Sequence, residues 1–560
     1  MLASFEHREN LDLAREKLMS VAKSSLLMAG GTIVSRILGF IRTVVLALTI
    51  GVTTDAADAF GVANQLPNNV YAIIAGGVLS AVLVPQIVKA RSHNDGGLGY
   101  IDRLLTLAIV VFAGVTVIAT LAAPFLISIY TTGWSPAQLA LATAFAYWCI
   151  PQLFFYGLYA MLGEVLNARS AFGPYMWAPV LNNIVGLIGL ISFLVIFGAD
   201  PVGARTVESW GPDQIALLAG SATLGVASQA LILFLSWGKI GINFSLNFSW
   251  RGVGLRPAMK AATWTIGMVL VSQIGGLVQT FVASRAVADR SEDLAIASVA
   301  AMLIAWLLFM LPHSVVTVSI ATAYFTKMSE HVHDKRIDLM KIDLRAALRV
   351  VILVNVFSSM ALILLSYPVA RVFVGEYPST VALGNVLFTT MFGLVPFGLV
   401  FMFQKAFFAL EDTRTPFVFT TIQIAIHIAG SITLFFTMTS EFLVMSLAGL
   451  TSATILIQAL VAYLFLRAQI GPIGAAPKGE GLTLRVVVAA VVAAVVGYGM
   501  ILALGGTSDG SLGLGSIVGA LTVISATGLA MLLAYVVVLK VLGVPEIDSA
   551  LKGIRGILRR

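Results

Sequence analysis

Apolar stretches of about twenty residues or more, each long enough to cross the ~30 Å hydrocarbon core of a bilayer, recur along the whole chain. They lie at roughly 25–50, 64–88, 104–130, 137–165, 175–198, 214–236, 259–284, 294–325, 346–373, 379–409, 416–437, 442–466, 483–504 and 513–540. Water is absent from the bilayer core, so backbone N–H and C=O groups must be satisfied within each segment, and runs of this length achieve that as helices. The sequence therefore predicts an all-α polytopic membrane protein with fourteen transmembrane helices. A hydrophobic fraction of 59% with only 11% charged residues, against about a quarter charged in soluble domains, excludes a soluble globular fold.

The net charge of +7 does not indicate a nucleic-acid partner, because the basic residues sort by side of the membrane. With a cytoplasmic N-terminus, only Arg205, Arg285, Arg290 and Arg371 fall outside and Arg36 and Arg42 fall within the membrane. Every other Lys and Arg, from Arg8 and Arg15 to Arg559 and Arg560, falls inside. That is the positive-inside pattern, and it places both termini in the cytoplasm. Residues 8–23, with Leu11, Leu13, Ala14 and Leu18 among Arg15 and Lys17, have the composition of an interfacial helix. The single cysteine, Cys149, allows no disulfide within one chain and reads as core packing.

Arg36 and Arg42 carry the strongest functional signal. Their apolar run, SSLLMAGGTIVSRILGFIRTVVLALTIG, contains no acidic residue. A guanidinium at the membrane centre costs at least ~2.5–3.5 kcal/mol and so faces a bundle interior or an aqueous cavity. The two are six residues apart, about 9 Å along a helix and about 120° around it, a spacing suited to two parts of one extended anion. Pairing with polar groups on neighbouring helices is the alternative. Gly31, Ser35 and Gly39 form a small-residue stripe on the same helix, a pattern of close helix packing. Asp55 and Asp58 lie at the outer junction of the first two helices. They are read as a gate that meets Arg42 when the outer side closes, or as helix-capping aspartates.

The chain also looks duplicated. Leu66-Pro67 and Leu311-Pro312 are 245 residues apart, and Pro174 and Pro416 are 242 apart. Six helices form an even unit, so two copies insert in the same direction, as parallel repeats. The expected organisation is a cytoplasmic N-terminal segment at 1–24, a first lobe at 25–236, a cytoplasmic linker at 237–258 and a second lobe at 259–467. A Gly/Pro-containing linker at 468–482, a helix pair at 483–542 and a basic tail at 543–560 follow. Uncharged polarity in the second lobe comes from Ser272, Gln273 and Gln279, from His313 beside Pro312, and from Gln423 and His427 one turn apart. Gln273 and His313 are candidate hydrogen-bonding groups for phosphate or sugar. No metalloprotease or P-loop motif is present, and the one match to the nucleophile-elbow pattern, Gly506-Thr507-Ser508-Asp509-Gly510, lies between two apolar runs rather than at a strand-to-helix turn, so neither an enzyme nor a resident metal or cofactor is expected. Transport would draw on an ion gradient, the membrane potential or a downhill substrate, with the coupling ion unidentified.

Several motifs together resemble the MurJ/MviN lipid II flippase family of the MOP exporter superfamily. They are Ser35-Arg36-Ile37-Leu38-Gly39-Phe40-Ile41-Arg42, Asp58-Ala59-Phe60, Leu66-Pro67-Asn68, Leu79-Ser80 with Val84-Pro85, Leu166-Asn167-Ala168-Arg169, Ala178-Pro179-Val180-Leu181-Asn182-Asn183 and Asp412-Thr413-Arg414-Thr415-Pro416. The resemblance implies two six-helix lobes around a central cationic cavity, with the last two helices forming a groove for a polyprenyl tail. It implies lipid II, or a related polyprenyl-diphosphate glycolipid, as substrate, moved to the outer leaflet of a bacterial inner membrane. Membrane lipids, and cell-wall synthesis proteins, are the further partners it suggests. Tyr71 or Ala72, and Leu307, stand where family members place further cavity arginines, and Ala75-Gly76-Gly77 replaces the family's Ala-Glu-Gly. Tyr71 thereby joins Arg36, Arg42, Gln273 and His313 as a substrate-site candidate. Rival readings are an exporter of another lipid-linked glycan or of drugs on the same fold, and a non-transporting scaffold for cell-wall enzymes. The topology is testable by labelling. A cysteine at Ser508 is expected to react with an impermeant thiol reagent applied to intact cells, and one at Ser329 only after permeabilisation; the reverse pattern would invert the orientation.

Overall fold

The computed structural model describes residues 30–74, 98–169, 171–239, 244–249, 255–290, 295–473 and 482–548, and among them there are helices and no strand. The expected N-terminal segment and interfacial helix, Ala75-Gly76-Gly77 with the rest of the second apolar run, most of the linker at 468–482 and the end of the basic tail lie outside the described residues. The helices are α1 (Gly30–Ile50), α2 (Asp55–Ile74), α3 (Gly99–Leu121), α4 (Pro136–Asn167), α5 (Gly173–Phe197), α6 (Pro212–Gly238) and α7 (Thr263–Asp289). They continue as α8 (Val299–His333), α9 (Ile337–Leu364), α10 (Tyr377–Met391 and Leu394–Ala409), α11 (Arg414–Thr437), α12 (Ser440–Ile470), α13 (Leu484–Ala503) and α14 (Ile517–Val541).

Twelve of these are long and apolar enough to span a membrane, and the two segments of α10, bent by 40°, raise the number to thirteen. The count of fourteen is not reached among the described residues. The shortfall is α2, described only over Asp55–Ile74, where Asp55, Asp58, Asn64, Gln65, Asn68 and Asn69 lower its hydropathy. Helix ends also differ from the apolar runs. The second helix begins at Asp55 rather than near 64, and α9 begins at Ile337 rather than near 346. Hydropathy detects the segment in hydrocarbon, whereas backbone hydrogen bonding carries the helix on through polar sequence. The apolar run expected at 104–130 is two helices, because the chain turns at Ala122 and Pro124 opens a short second helix, Ala123–Tyr130. In α8 the proline at 312, which has no N–H to donate, is followed by a wider π turn over His313–Thr317, a recognised cause of helix distortion.

Packing repeats with the sequence. α5 lies on α6, α4 on α6, α3 on α4 and α2 on α4; in the second half α11 lies on α12, α10 on α12, α9 on α10 and α8 on α10. α1 rests on α5 as α7 rests on α11. The small-residue stripe makes the first of these contacts possible: a Cβ at Gly31 would stand 3.0 Å from the Met176 carbonyl oxygen, and Asn183 Nδ2 donates to the Ser35 carbonyl at 2.8 Å. The outward faces are apolar, with Val195 80% and Val541 81% exposed, as contact with lipid requires. Cys149 is buried and packs in the core beside Phe145.

α13 and α14 pack against each other and on α9, through Ala489, Ala493, Met531 and Leu539 against Leu353. Tyr535 Oη donates to the Leu353 carbonyl at 2.9 Å, and Arg349 of α9 pairs with Glu546 just beyond α14. Burial pushes the Glu546 carboxyl up. The Arg349 hydrogen bond, the residue's own backbone N–H and the guanidinium charge more than offset that and hold its pKa below the ordinary 4.5. A carboxylate depressed in the folded state stabilises it above the unfolded pKa, and that contribution disappears as pH falls through the folded value. Docking of the terminal pair is therefore expected to weaken on acidification below 4.5. The fall in melting temperature between about pH 7 and about pH 4 should be smaller in Glu546→Gln than in the wild type. An equal fall in both would show that this pair does not hold α14.

Candidate functional site

The two arginines of α1 point into different surroundings. Arg42 lies within the first half: its Nη1 donates to Asn182 Oδ1 of α5 at 3.4 Å, and its side chain crosses Gly186, where a Cβ would stand 2.7 Å from Nε. Asn182 in turn donates to Gln229 Oε1 of α6 at 2.9 Å. Arg36 is half-buried and its Nε has no hydrogen-bond partner. Among the described residues neither arginine forms an ion pair. Arg42 knits α1 to α5, while Arg36 is left without an ion pair among the described residues.

The remaining candidates scatter around this junction. Tyr71 stacks on Tyr156 at 5.6 Å between centroids, inside the first half. His313 is buried against Phe397 (4.5 Å) and Phe401 (5.1 Å), with Nδ1 unpartnered. Gln273 Nε2 donates to the Asn69 carbonyl at 2.5 Å and so joins α7 to α2.

Asp55 and Asp58 meet a different partner from the one expected. Arg290, just past α7, donates through Nη1 to Asp55 Oδ1 at 2.7 Å and through Nη2 to Asp58 Oδ2 at 2.8 Å; Arg42 takes no part. The physical reason is direction, since Arg42 is turned onto Asn182. Asp58 is fully buried and also accepts from the Ala300 N–H at the start of α8, at 2.8 Å. This is where a negative charge complements the helix dipole. The cap reading of these aspartates thus holds for Asp58, but on a helix of the opposite half. Nearby, Thr53 and Ser379 hydroxyls are 2.9 Å apart and Ser284 Oγ accepts from the Thr132 N–H at 2.8 Å. The two halves are therefore fastened together at the end of the bundle that the charge pattern places outside. Arg290 was visible in the sequence as one of the few outside cations; nothing local linked it to residues more than two hundred positions away.

Two cavities lie between the halves. One of about 500 Å³ is walled by α2, α7, α8, α10, α11 and α12; the other, about 360 Å³, by α1, α2 and α8 with Tyr156. Gln65 lines both, its Oε1 buried without a partner, and Leu307 lines the smaller. Gln404, Gln458 and Thr420 in the larger were not singled out from sequence, because isolated polar residues at unrelated spacings give no periodic signal. Among the described residues no cluster of three or more His, Cys, Asp or Glu side chains is placed to hold a metal ion.

Residues 46–518 match the family described as lipid II flippase MurJ. The chain is 27% identical over 433 residues to a probable lipid II flippase MurJ of Rhizobium meliloti (strain 1021), covering 74% of this chain and 76% of the relative. It is likewise 27% identical over 427 residues to one of Rhizobium tropici, with coverage of 74% and 76%. Among solved structures, lipid II flippase MurJ in an inward closed conformation superposes with a TM-score of 0.67 at 19% identity, over 90% of this chain and 98% of that one. An inward-facing multidrug resistance MATE family transporter of the MOP superfamily gives 0.59 at 16% identity, over 77% and 98%.

Truncating one partner of a buried ion pair typically costs ~3–5 kcal/mol, because the other charge is left stranded. Arg290→Ala is therefore expected to lower the melting temperature and to expose a cysteine placed at the buried Ala57 to impermeant reagent. Adding Asp58→Asn should recover part of both effects, and no recovery in the double variant would show that Asp58 and Arg290 are not coupled.

Proposed function

The chain belongs to the lipid II flippase MurJ family, a family of transporters rather than enzymes, and on that premise we propose that it translocates lipid II across a bacterial cytoplasmic membrane by alternating access. Both termini face the cytoplasm, and the substrate leaves the inner leaflet for the outer one.

The observation that carries this reading is Arg36. It is a half-buried cation inside a membrane span that, among the described residues, forms no ion pair, and its Nε has no hydrogen-bond partner. A diphosphate supplies the missing counter-charge, and guanidinium binds its oxygens with a planar fork of donors. Fastening of the opposite end by Asp55, Asp58 and Arg290 supports a state closed to the outside, with the substrate entering from the other side. Rocking of the two halves, with these contacts parting, then turns the head group outward, while the lipid tail stays in the bilayer beside α13 and α14. Arg42 acts behind this site: it fixes α1 on α5 and thereby sets the direction of Arg36.

The two arginines should separate experimentally. Arg36→Ala is expected to fold with an unchanged melting temperature and to lose about ten- to a hundredfold in lipid II affinity, the value of a charge-assisted hydrogen bond. Arg36→Lys should lose less. Arg42→Ala should lower stability as well as transport. Lipid II translocation in proteoliposomes, with growth of cells carrying the variant as sole copy, checks this. Full activity of Arg36→Ala at native expression would refute the cationic site.

A further inference from the structure

Among the described residues, the wall of the larger cavity contains no acidic residue, lysine or arginine, and its one titratable side chain is His427. A diphosphate drawn into such a wall would lose its hydration without meeting a counter-charge, which is heavily unfavourable. The cavity instead offers ordered neutral groups. Gln279 donates to Thr451 Oγ1 at 3.2 Å, Gln423 to Thr454 Oγ1 at 3.1 Å and Gln458 to Thr420 Oγ1 at 3.1 Å. Each bond fixes an amide and leaves its carbonyl oxygen without a partner among the described residues. His427, one turn along α11 from Gln423, is 3% exposed and neither ring nitrogen has a hydrogen-bond partner. Buried polar atoms are nearly always satisfied in folded proteins, so an unsatisfied imidazole in a cavity wall points to a ligand that completes it. Trp306, held by stacking on Phe309 at 5.1 Å, contributes an aromatic surface to the same wall.

A few neutral donors and acceptors on an otherwise largely apolar wall, beside an aromatic face and in about 500 Å³, match an uncharged ring-shaped ligand with both polar edges and apolar faces, and the size falls in the ~300–1,000 Å³ range of small-molecule sites. We propose that this cavity binds an N-acetylated amino-sugar unit of the substrate head group. Its hydroxyl and acetamido groups exchange hydrogen bonds with Gln423, Gln458 and His427, and its apolar ring face lies on Trp306. The proposal rests on the flippase reading and refines it: charge recognition falls to Arg36 on the first half and sugar recognition to the second.

The test uses the full chain in lipid nanodiscs with two probes, N,N′-diacetylchitobiose, which has no phosphate or lipid, and inorganic pyrophosphate. The wild type is expected to bind both. Gln423→Leu and Gln458→Leu should each weaken the disaccharide about fivefold, as loss of one hydrogen bond implies, without changing pyrophosphate binding. Arg36→Ala should do the reverse. Met268→Trp, which fills the cavity from an apolar wall position, should abolish disaccharide binding alone, and it decides the matter if a glutamine variant does not fold. Three outcomes overturn the proposal: no disaccharide binding to the wild type, disaccharide affinity unmoved by every folded cavity variant, or a cavity that responds only to sodium ions. Lipid II translocation by the wild type in proteoliposomes is read separately. Translocation without disaccharide binding sinks this inference alone, whereas disaccharide binding without translocation sinks the flippase reading and leaves the sugar site standing.

Discussion

A single guanidinium shared by two carboxylates holds the two halves of this bundle together at one end. Arg290 reaches Asp55 and Asp58 at 2.7 and 2.8 Å, and Asp58, with no solvent exposure, is also bound by the first turn of α8. In a low-dielectric interior neither charge is tolerable alone, so α2 and the segment from α7 to α8 are stable in this arrangement only together. Such a contact adds little net stability over an apolar one but discriminates sharply between arrangements. It is satisfied when the halves close at this end, and it must find water on both sides when they part. The uncharged contacts around it, between Thr53 and Ser379 and between Thr132 and Ser284, follow the same boundary.

At the other end of α1 the electrostatics are incomplete. Among the described residues Arg36 has no acid partner, and Lys405 of α10 lies over the rings of Phe325 and Phe401. Tyr71 and Leu307, both uncharged, sit in different places: Tyr71 packs against Tyr156 inside the first half and Leu307 lines the smaller cavity. The larger cavity carries no cation among its described lining residues, and its largely apolar wall is dotted with amides and hydroxyls. A ligand with one strongly charged portion and one neutral polar portion fits that division better than a uniformly charged one.

Much of the fold was legible because membrane insertion leaves its mark on composition. Long apolar runs, the sorting of basic residues and the offset of Leu-Pro landmarks all report constraints that act on each helix separately. The small-residue stripe on α1 was readable for the same reason, since close packing needs a glycine at 31, where a Cβ would stand 3.0 Å from the Met176 carbonyl oxygen. Helix breaks at Pro124, Pro151 and Pro312 were concealed by continuous hydropathy. Side-chain direction was the principal loss. Six residues of separation gave the angle between Arg36 and Arg42, but not which neighbour each would face, and the partner of Asp58 lay 232 positions away. The glutamines of the larger cavity come from five helices, so only the assembled bundle shows that they share a wall.

The central claim is that the halves must part at the Asp55–Arg290–Asp58 end for transport to occur. Cysteines at Thr53 and Ser379, whose hydroxyls are 2.9 Å apart across the boundary, would tie that end shut on oxidation. Lipid II translocation by the double-cysteine protein in proteoliposomes should stop when the disulfide forms and return when it is reduced. Translocation at the reduced rate in fully cross-linked protein would contradict the account.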